Sequence, residues 1–107
     1  MEKKRLGVIL GELRRRLTAI YGDRLAKLVL YGSHARGDAR PDSDIDVMVV
    51  LNGEVRPFQE TLGTEDDVAA VCLEYDVVIS MFFVSESDFS DAGEPLLVNA
   101  NREGIPV

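Results

Sequence analysis

One stretch organises this chain, and it reads Tyr31-Gly-Ser-His-Ala-Arg-Gly-Asp-Ala-Arg-Pro-Asp-Ser-Asp-Ile-Asp-Val-Met-Val-Val50. The apolar segment that leads into this stretch, residues 25–31, is typical of a buried strand. This strand is predicted to end at Gly32. A second strand, rich in valine and isoleucine, is predicted from Asp44 to Leu51. Because function concentrates in polar loops between such elements, we look for a site between the two strands.

The second predicted strand begins with a pair of acids. Side chains alternate across a strand, so Asp44 and Asp46 are expected to share one face. The other face is apolar and contains Ile45, Val47, Val49 and Leu51. Neighbouring carboxylates repel each other and are costly near an apolar sheet unless a cation or hydrogen bonds compensate. Oxygen ligands at this spacing suit Mg²⁺ completed by substrate phosphates, which favours a nucleoside triphosphate as the substrate.

Gly32-Ser33 follows the first strand and is predicted to open a short helix. Glycine has no side-chain bulk, and the first backbone N–H groups of a helix are unpaired, so a phosphate can approach closely. The Ser33 hydroxyl adds a hydrogen bond, and the guanidinium of Arg36 matches phosphate oxygens. The alternative for Arg36 is a surface pair with Asp38 or Asp42. Gly-Ser alone occurs in many tight turns, so the interpretation rests on its combination with the acid pair.

That combination is Gly32-Ser33, ten further residues, and Asp44-x-Asp46 at the start of an apolar strand. It resembles the signature of the polymerase-beta-like nucleotidyltransferases, in particular the minimal nucleotidyltransferases that act as antitoxins of HEPN-domain toxins. The resemblance implies an α/β fold with a small mixed sheet flanked by helices. It also implies two Mg²⁺ ions, with Asp44 and Asp46 as ligands, and transfer of a nucleotide, usually adenylate from ATP, onto a hydroxyl.

The same resemblance supplies a third acid. The segment Leu73-Glu-Tyr-Asp-Val-Val-Ile-Ser80 is similar to the third strand of that family, which makes Asp76 the third carboxylate and a ligand of the metal that activates the hydroxyl. On such a strand Glu74 points to the same face as Asp76, so Glu74 is the alternative third ligand.

Hydrophobic periodicity predicts the remaining elements. An amphipathic helix is expected from about Glu2 to Tyr21, and another from Pro57 to about Glu74. The predicted core residues of the second helix are Phe58, Leu62, Ala69 and Cys72. A third strand is expected over residues 75–84 and a last short helix over residues 94–102. This order predicts helices packed on a small mixed sheet in a single domain, residues 1–107.

Composition excludes several kinds of partner. With 12 basic and 19 acidic residues the formal charge is −7, which opposes a long phosphate backbone, so we expect no free nucleic acid as a partner. No apolar stretch is long enough to cross a bilayer and no signal-peptide core follows the basic start, so we expect a cytoplasmic protein without a membrane partner. Basic residues concentrate in the first helix, as a solvated face or as a docking surface for an acidic partner.

Three hypotheses for function follow. Larger enzymes resembling this chain carry a second domain that shapes the acceptor pocket, whereas little sequence remains here after the core elements. We therefore expect a protein acceptor, namely a tyrosine of a HEPN toxin. One alternative is an antitoxin that only masks its toxin. The other is adenylylation of a small molecule such as an aminoglycoside, for which a homodimer would complete the pocket. Whether the chain forms a homodimer or a hetero-oligomer stays open.

Overall fold

A computed structural model of the chain describes residues 2–91, 93 and 95–107. Its strands are β1 (Leu25–Tyr31), β2 (Ile45–Leu51), β3 (Ile79–Ser85) and β4 (Ile105–Pro106). They form one sheet in the order β3-β2-β1-β4. β1 is antiparallel to both β2 and β4, whereas β2 and β3 are parallel. The predicted α/β fold with a mixed sheet is confirmed.

The described helices lie on the two faces of this sheet. They are α1 (Lys3–Tyr21), α2 (Ser33–Arg36), α3 (Pro57–Tyr75), α4 (Glu86–Ser90) and α5 (Pro95–Glu103). Parallel strands cannot be joined by a hairpin, so α3 makes the crossover between β2 and β3. The predicted bounds of the first and second long helices agree with α1 and α3 within a residue. The predicted start of the last helix, Glu94, lies outside the described residues.

β2 is the central strand, and both of its faces are covered. Its odd-numbered side chains pack with α1 and α3 in a cluster that includes Ile9, Leu13, Leu17, Ile45, Val47, Val49, Leu51 and Val71. Its even-numbered side chains Met48 and Val50 pack with α4 and α5 in a second cluster that includes Phe89, Leu97 and Ala100. Since side chains alternate along a strand, Asp46 shares the second face and ends its apolar row.

The prediction of which α3 face is buried is wrong. Phe58 and Leu62 are 75% and 51% exposed, and Ala69 is exposed as well. Thr64 and Val71 are buried instead, and the Thr64 hydroxyl donates to the carbonyl of Glu60 at 2.9 Å. Apolar residues occur on both faces of this helix, so their spacing could not identify the inner one. The predicted core position of Cys72 is half-buried against the first cluster.

The third strand also differs from its prediction over residues 75–84, because α3 continues through Tyr75 and β3 begins only at Ile79. The helix ends at Asp76, whose φ is 53° and whose N–H donates to the carbonyl of Cys72. This left-handed ending is a common helix terminus. Glu74 lies in the last helical turn, so the expectation that it shares a strand face with Asp76 is wrong.

The short strand β4 was not predicted. Its two residues pair with Val29 and Leu30 of β1. Gly104 precedes it where a Cβ atom would overlap the carbonyl of Ala100 and the side chain of Val29. Glycine therefore allows α5 and β4 to follow each other closely against the sheet. Among the described residues, no helix is long and apolar enough to cross a membrane.

Candidate active site

The turn between β1 and α2 is built on Gly32. Its φ of 73° lies in the left-handed region, which residues with side chains rarely adopt. A Cβ atom at this position would also overlap the carboxylate of Asp46. Backbone conformation and close contact thus both require glycine. The Gly32-Ser33 turn therefore lies directly against Asp46 of β2.

The acid pair lies at the start of β2. Asp44 directly precedes the strand and is exposed, whereas Asp46 is the second residue of the strand and is half-buried. Burial raises the pKa of Asp46, the negative charge of Asp44 raises it further, and the positive charges of His34 and Arg36 oppose these effects. A cation at this position would relieve the repulsion between the carboxylates.

A cavity of about 340 Å³ opens at this point. It is lined by Tyr31, Gly32, Ser33, Arg36, Asp46, Asn99 and Glu103. Its volume lies within the range of about 300–1,000 Å³ that small-molecule sites occupy. Burial, followed by the charge of Asp46, raises the pKa of Tyr31. The three residues predicted to bind the nucleotide therefore share one cavity with one of the predicted metal ligands.

Sequence reasoning missed three residues of this cavity, namely Tyr31 at the end of β1 and Asn99 and Glu103 on α5. Glu103 Oε2 lies 3.6 Å from Arg36 Nη1, and Arg36 Nε donates to Asp38 Oδ2 at 3.3 Å. The predicted surface pair of Arg36 thus exists, although Arg36 also faces the cavity. Both partners are partly exposed, and exposed ion pairs contribute little to stability, so phosphate oxygens can replace them. No local sequence signal marks Asn99 or Glu103, because only packing brings α5 to the site.

His34 anchors the loop that carries Asp44. Its Nε2 lies 3.2 Å from the carbonyl oxygen of Ser43, the residue before Asp44. The Ser43 hydroxyl in turn accepts a hydrogen bond of 2.9 Å from the Arg40 N–H. His34 is half-buried, and its ring joins α2 to the residue before Asp44.

Asp76 lies outside this cavity. It is exposed and lines a separate cavity of about 240 Å³ together with Arg5, Asp42, Ser43 and neighbouring residues. In the parallel register Ser80 stands beside Asp46, and Asp76 comes four residues earlier. Within the described part of the chain, no group of three or more His, Cys, Asp or Glu side chains is placed to hold a metal. The structure brings Asp44 and Asp46 together without Asp76, whose role as a third ligand stays a prediction.

The structure thus brings paired acids and a glycine-serine turn together at one end of a mixed sheet. The model of the nucleotidyltransferase domain family matches residues 10–98, so the chain belongs to that family and is a nucleotidyltransferase. The match includes the turn and both acids of the pair. The family resemblance of the sequence is thereby confirmed.

Curated relatives come from Methanocaldococcus jannaschii. One protein, named "putative protein adenylyltransferase", is 32% identical over 72 residues, which are 67% of this chain and 72% of the relative. A second protein with this designation is 33% identical over 91 residues, 84% of this chain and 62% of the relative. A third is 38% identical over 74 residues, 69% of this chain and 68% of the relative.

Solved structures share the fold. One described as a "putative minimal nucleotidyltransferase" is 27% identical, with a TM-score of 0.55 over 97% of this chain and 89% of the other. Another is a toxin–antitoxin crystal structure with AMP-PNP, in which the similar chain is 16% identical, with a TM-score of 0.65 over 90% of this chain and 69% of the other. At that identity the second comparison shows the fold alone.

Proposed function

We propose that this nucleotidyltransferase transfers adenylate from ATP to a hydroxyl of a partner protein, namely a tyrosine of a HEPN-domain toxin. The observation that carries the proposal is the half-buried carboxylate of Asp46, held against the Gly32-Ser33 turn in the cavity that Arg36 also lines. The names of the curated relatives support a protein acceptor. The toxin–antitoxin structure with the same fold supports a toxin as that protein.

The acid pair fits magnesium. Mg²⁺ is typically held by one or two carboxylates together with water and substrate phosphates. Burial and the charge of Asp44 both disfavour the ionised form of Asp46 and raise its pKa, and a bound cation would stabilise that form. We assign Asp44 and Asp46 as ligands of the two ions. Asp76 is the proposed third ligand, and this role requires its carboxylate to approach from the adjacent cavity. Magnesium bound there would offset the triphosphate charge and lower the pKa of the acceptor hydroxyl.

The remaining residues of the cavity would hold the nucleotide. Gly32 exposes backbone that a phosphate can approach, and the hydroxyl of Ser33 can donate to a phosphate oxygen. Arg36 would exchange its partners Asp38 and Glu103 for phosphate oxygens, because a guanidinium matches them in shape and charge.

The transfer replaces the phosphoanhydride bond between the α- and β-phosphates of ATP with a phosphoester bond to the acceptor. The acceptor oxygen forms a bond to the α-phosphorus of ATP, while the bond from that phosphorus to the bridging oxygen breaks. Pyrophosphate leaves with the electron pair of the broken bond, and the hydroxyl proton passes to water. The chain's own contribution is to fix the α-phosphate beside the acid pair, since correct placement alone lowers the barrier substantially.

The experiment is intact-mass spectrometry of the purified protein mixed with the product of the gene next to its own, ATP and Mg²⁺. We expect the partner to gain one or more adenylates, peptide mapping to locate them on tyrosine, and Asp44→Asn to abolish the gain. If the partner binds but gains no mass, this proposal is wrong and the protein is a binding-only antitoxin. A mass gain that persists with Asp44→Asn would instead remove the acid pair from the mechanism.

A further inference from the structure

A row of apolar side chains runs along the outer face of α3. We call it the α3 stripe, and it consists of Phe58, Leu62, Ala69 and Leu73. Phe58, Leu62 and Leu73 are 75%, 51% and 85% exposed, and Ala69 is exposed as well. At roughly 100° per residue these positions fall within one narrow strip of the helix, opposite the buried Thr64 and Val71. Single exposed apolar residues are ordinary, but an aligned row of this kind marks an interaction surface.

The α3 stripe has no role in the fold or in the candidate active site. α3 packs on the sheet face that holds Val47 and Val49, whereas Asp46 lies on the opposite face. None of the four stripe residues lines the cavity of Asp46. Moreover, their exposure means that little of their apolar surface contributes to the core. The α3 stripe is therefore best explained as a contact surface for another molecule.

The charges beside the stripe indicate what kind of contact it fits. Glu65 and Asp66 lie on either side of the strip, near its midpoint, and both are exposed. Two other acids of α3 are paired, Glu60 with Arg24 and Asp67 with Arg16. In the described part of the chain, neither Glu65 nor Asp66 has an ion-pair partner. These two carboxylates are thus available to basic groups of another molecule.

We propose that the α3 stripe docks an amphipathic helix of a partner protein whose apolar face is bordered by lysine or arginine. A helix satisfies its own backbone hydrogen bonds, so it can lie on apolar side chains without leaving polar groups unpaired. From Phe58 to Leu73 the stripe is about 22 Å long, which matches roughly four turns of a partner helix. The basic border would meet Glu65 and Asp66, and the overall charge of −7 would steer a basic partner toward this chain.

A second copy of this chain fits the stripe poorly. Residues 65 and 66 lie at the middle of the stripe, so a two-fold axis there would bring the Glu65 and Asp66 carboxylates of both copies together. Four carboxylates at the centre of an apolar contact repel each other and lose hydration. The charge pattern thus selects a different protein over self-association.

The first test uses the product of the gene next to this one as the candidate toxin, and this choice of partner rests on the proposed function. Its affinity is measured by calorimetry without nucleotide, for the wild type and for Leu62→Glu and Leu73→Glu. We expect each substitution to raise Kd at least tenfold, because it places a charge in the apolar contact. Val8→Glu is the matched control, since Val8 is 53% exposed on α1, outside the stripe, and Kd should not change. Unchanged affinity in both stripe variants would overturn the docking surface while leaving adenylate transfer untouched.

The second test does not depend on that partner. A fluorescent helical peptide with a leucine face bordered by lysines is titrated with the protein, beside a twin carrying glutamates in place of the lysines. We expect the lysine peptide to bind at least tenfold more tightly, and Leu62→Glu to remove that binding. Equal binding of both peptides, or none by the lysine peptide, would overturn the proposal. A wild-type dimer that Leu62→Glu dissociates in sedimentation would assign the stripe to a second copy. Lysine-peptide binding without toxin binding would retain the docking surface and reject the toxin as acceptor.

Discussion

Asp46 and Asp76 each line a cavity near the loop that joins α2 to β2, yet their surroundings differ. Asp46 stands on the central strand, half-buried, with Gly32 packed against its carboxylate and Asp44 close enough to raise its pKa. Asp76 is the exposed terminal residue of a helix, beside Arg5 and Asp42. The first acid is fixed by the sheet, whereas the second is held only by a helix terminus.

The difference follows from register rather than from residue type. Residues of parallel strands stand side by side at fixed levels, and Ser80 is the residue of β3 at the level of Asp46. Asp76 precedes that level by four residues, roughly 13 Å of extended chain. An acid near a strand in the sequence therefore reaches a site on the sheet only if the strand begins early enough.

The largest expected effect on the transfer rate comes from replacing Asp46, the acid that the sheet holds in place. We predict that Asp46→Asn lowers the rate of adenylate transfer by about a thousandfold or more, because several kcal/mol of charge stabilisation are lost with one metal ligand. Single-turnover assays with labelled ATP measure the rate, and circular dichroism checks the fold. Activity within tenfold of the wild type would show that Asp46 is not a ligand.

A pair of glycine substitutions can separate the effect of the Gly32–Asp46 contact from the effect of backbone strain. Gly32 and Gly37 have φ values of 73° and 82°, but only at Gly32 would a Cβ atom meet another group within 4 Å. We predict that Gly32→Ala and Gly37→Ala each lower the free energy of unfolding by about 1–2 kcal/mol, from the left-handed backbone. Only Gly32→Ala should also lower the transfer rate, by about a hundredfold, because it displaces a charged group of the site. Equal rates in the two variants would contradict a role for the contact.

Asp76→Asn tests whether Asp76 binds metal together with Asp46. We predict a loss in transfer rate of about tenfold, smaller than for Asp46→Asn, because the carboxylate reaches the site only by moving. Glu74→Gln, from the preceding helical turn, is the control and should retain full activity. If Asp76→Asn and Asp46→Asn reduce the rate equally, Asp76 is a full metal ligand in the working enzyme.

The smallest expected effect concerns stability and pH. Because folding raises the pKa of Asp46, its ionised form opposes folding at neutral pH, and this opposition fades as pH falls and the carboxyl is protonated. We predict that Asp46→Asn raises the melting temperature of the ligand-free protein by a few degrees at neutral pH. The difference from the wild type should shrink at the lowest pH at which both proteins stay folded. Adding Mg²⁺ should raise the melting temperature of the wild type more than that of Asp46→Asn, and equal shifts would argue against binding at this acid.

The sequence by itself determined the features that depend on local order. β1, β2 and α3 could be read from apolar runs and from a proline at a helix start, and the Gly32-Ser33 turn with Asp44 and Asp46 from its spacing. Alternation along a strand also placed Asp46 on the face opposite Ile45, Val47, Val49 and Leu51. These features are predictable because each depends on neighbours within a few residues.

Only the tertiary structure decided the features that depend on segments far apart in the chain. It selected the buried face of α3, since α3 has apolar residues on both sides and packing against α1 chose one of them. The start of β3, which separates Asp76 from Asp46, and the approach of Asn99 and Glu103 to the cavity were likewise set by packing. The spacing of apolar residues shows which residues share a face of a helix or strand. Which of these faces is buried depends on the elements that pack together in the folded chain.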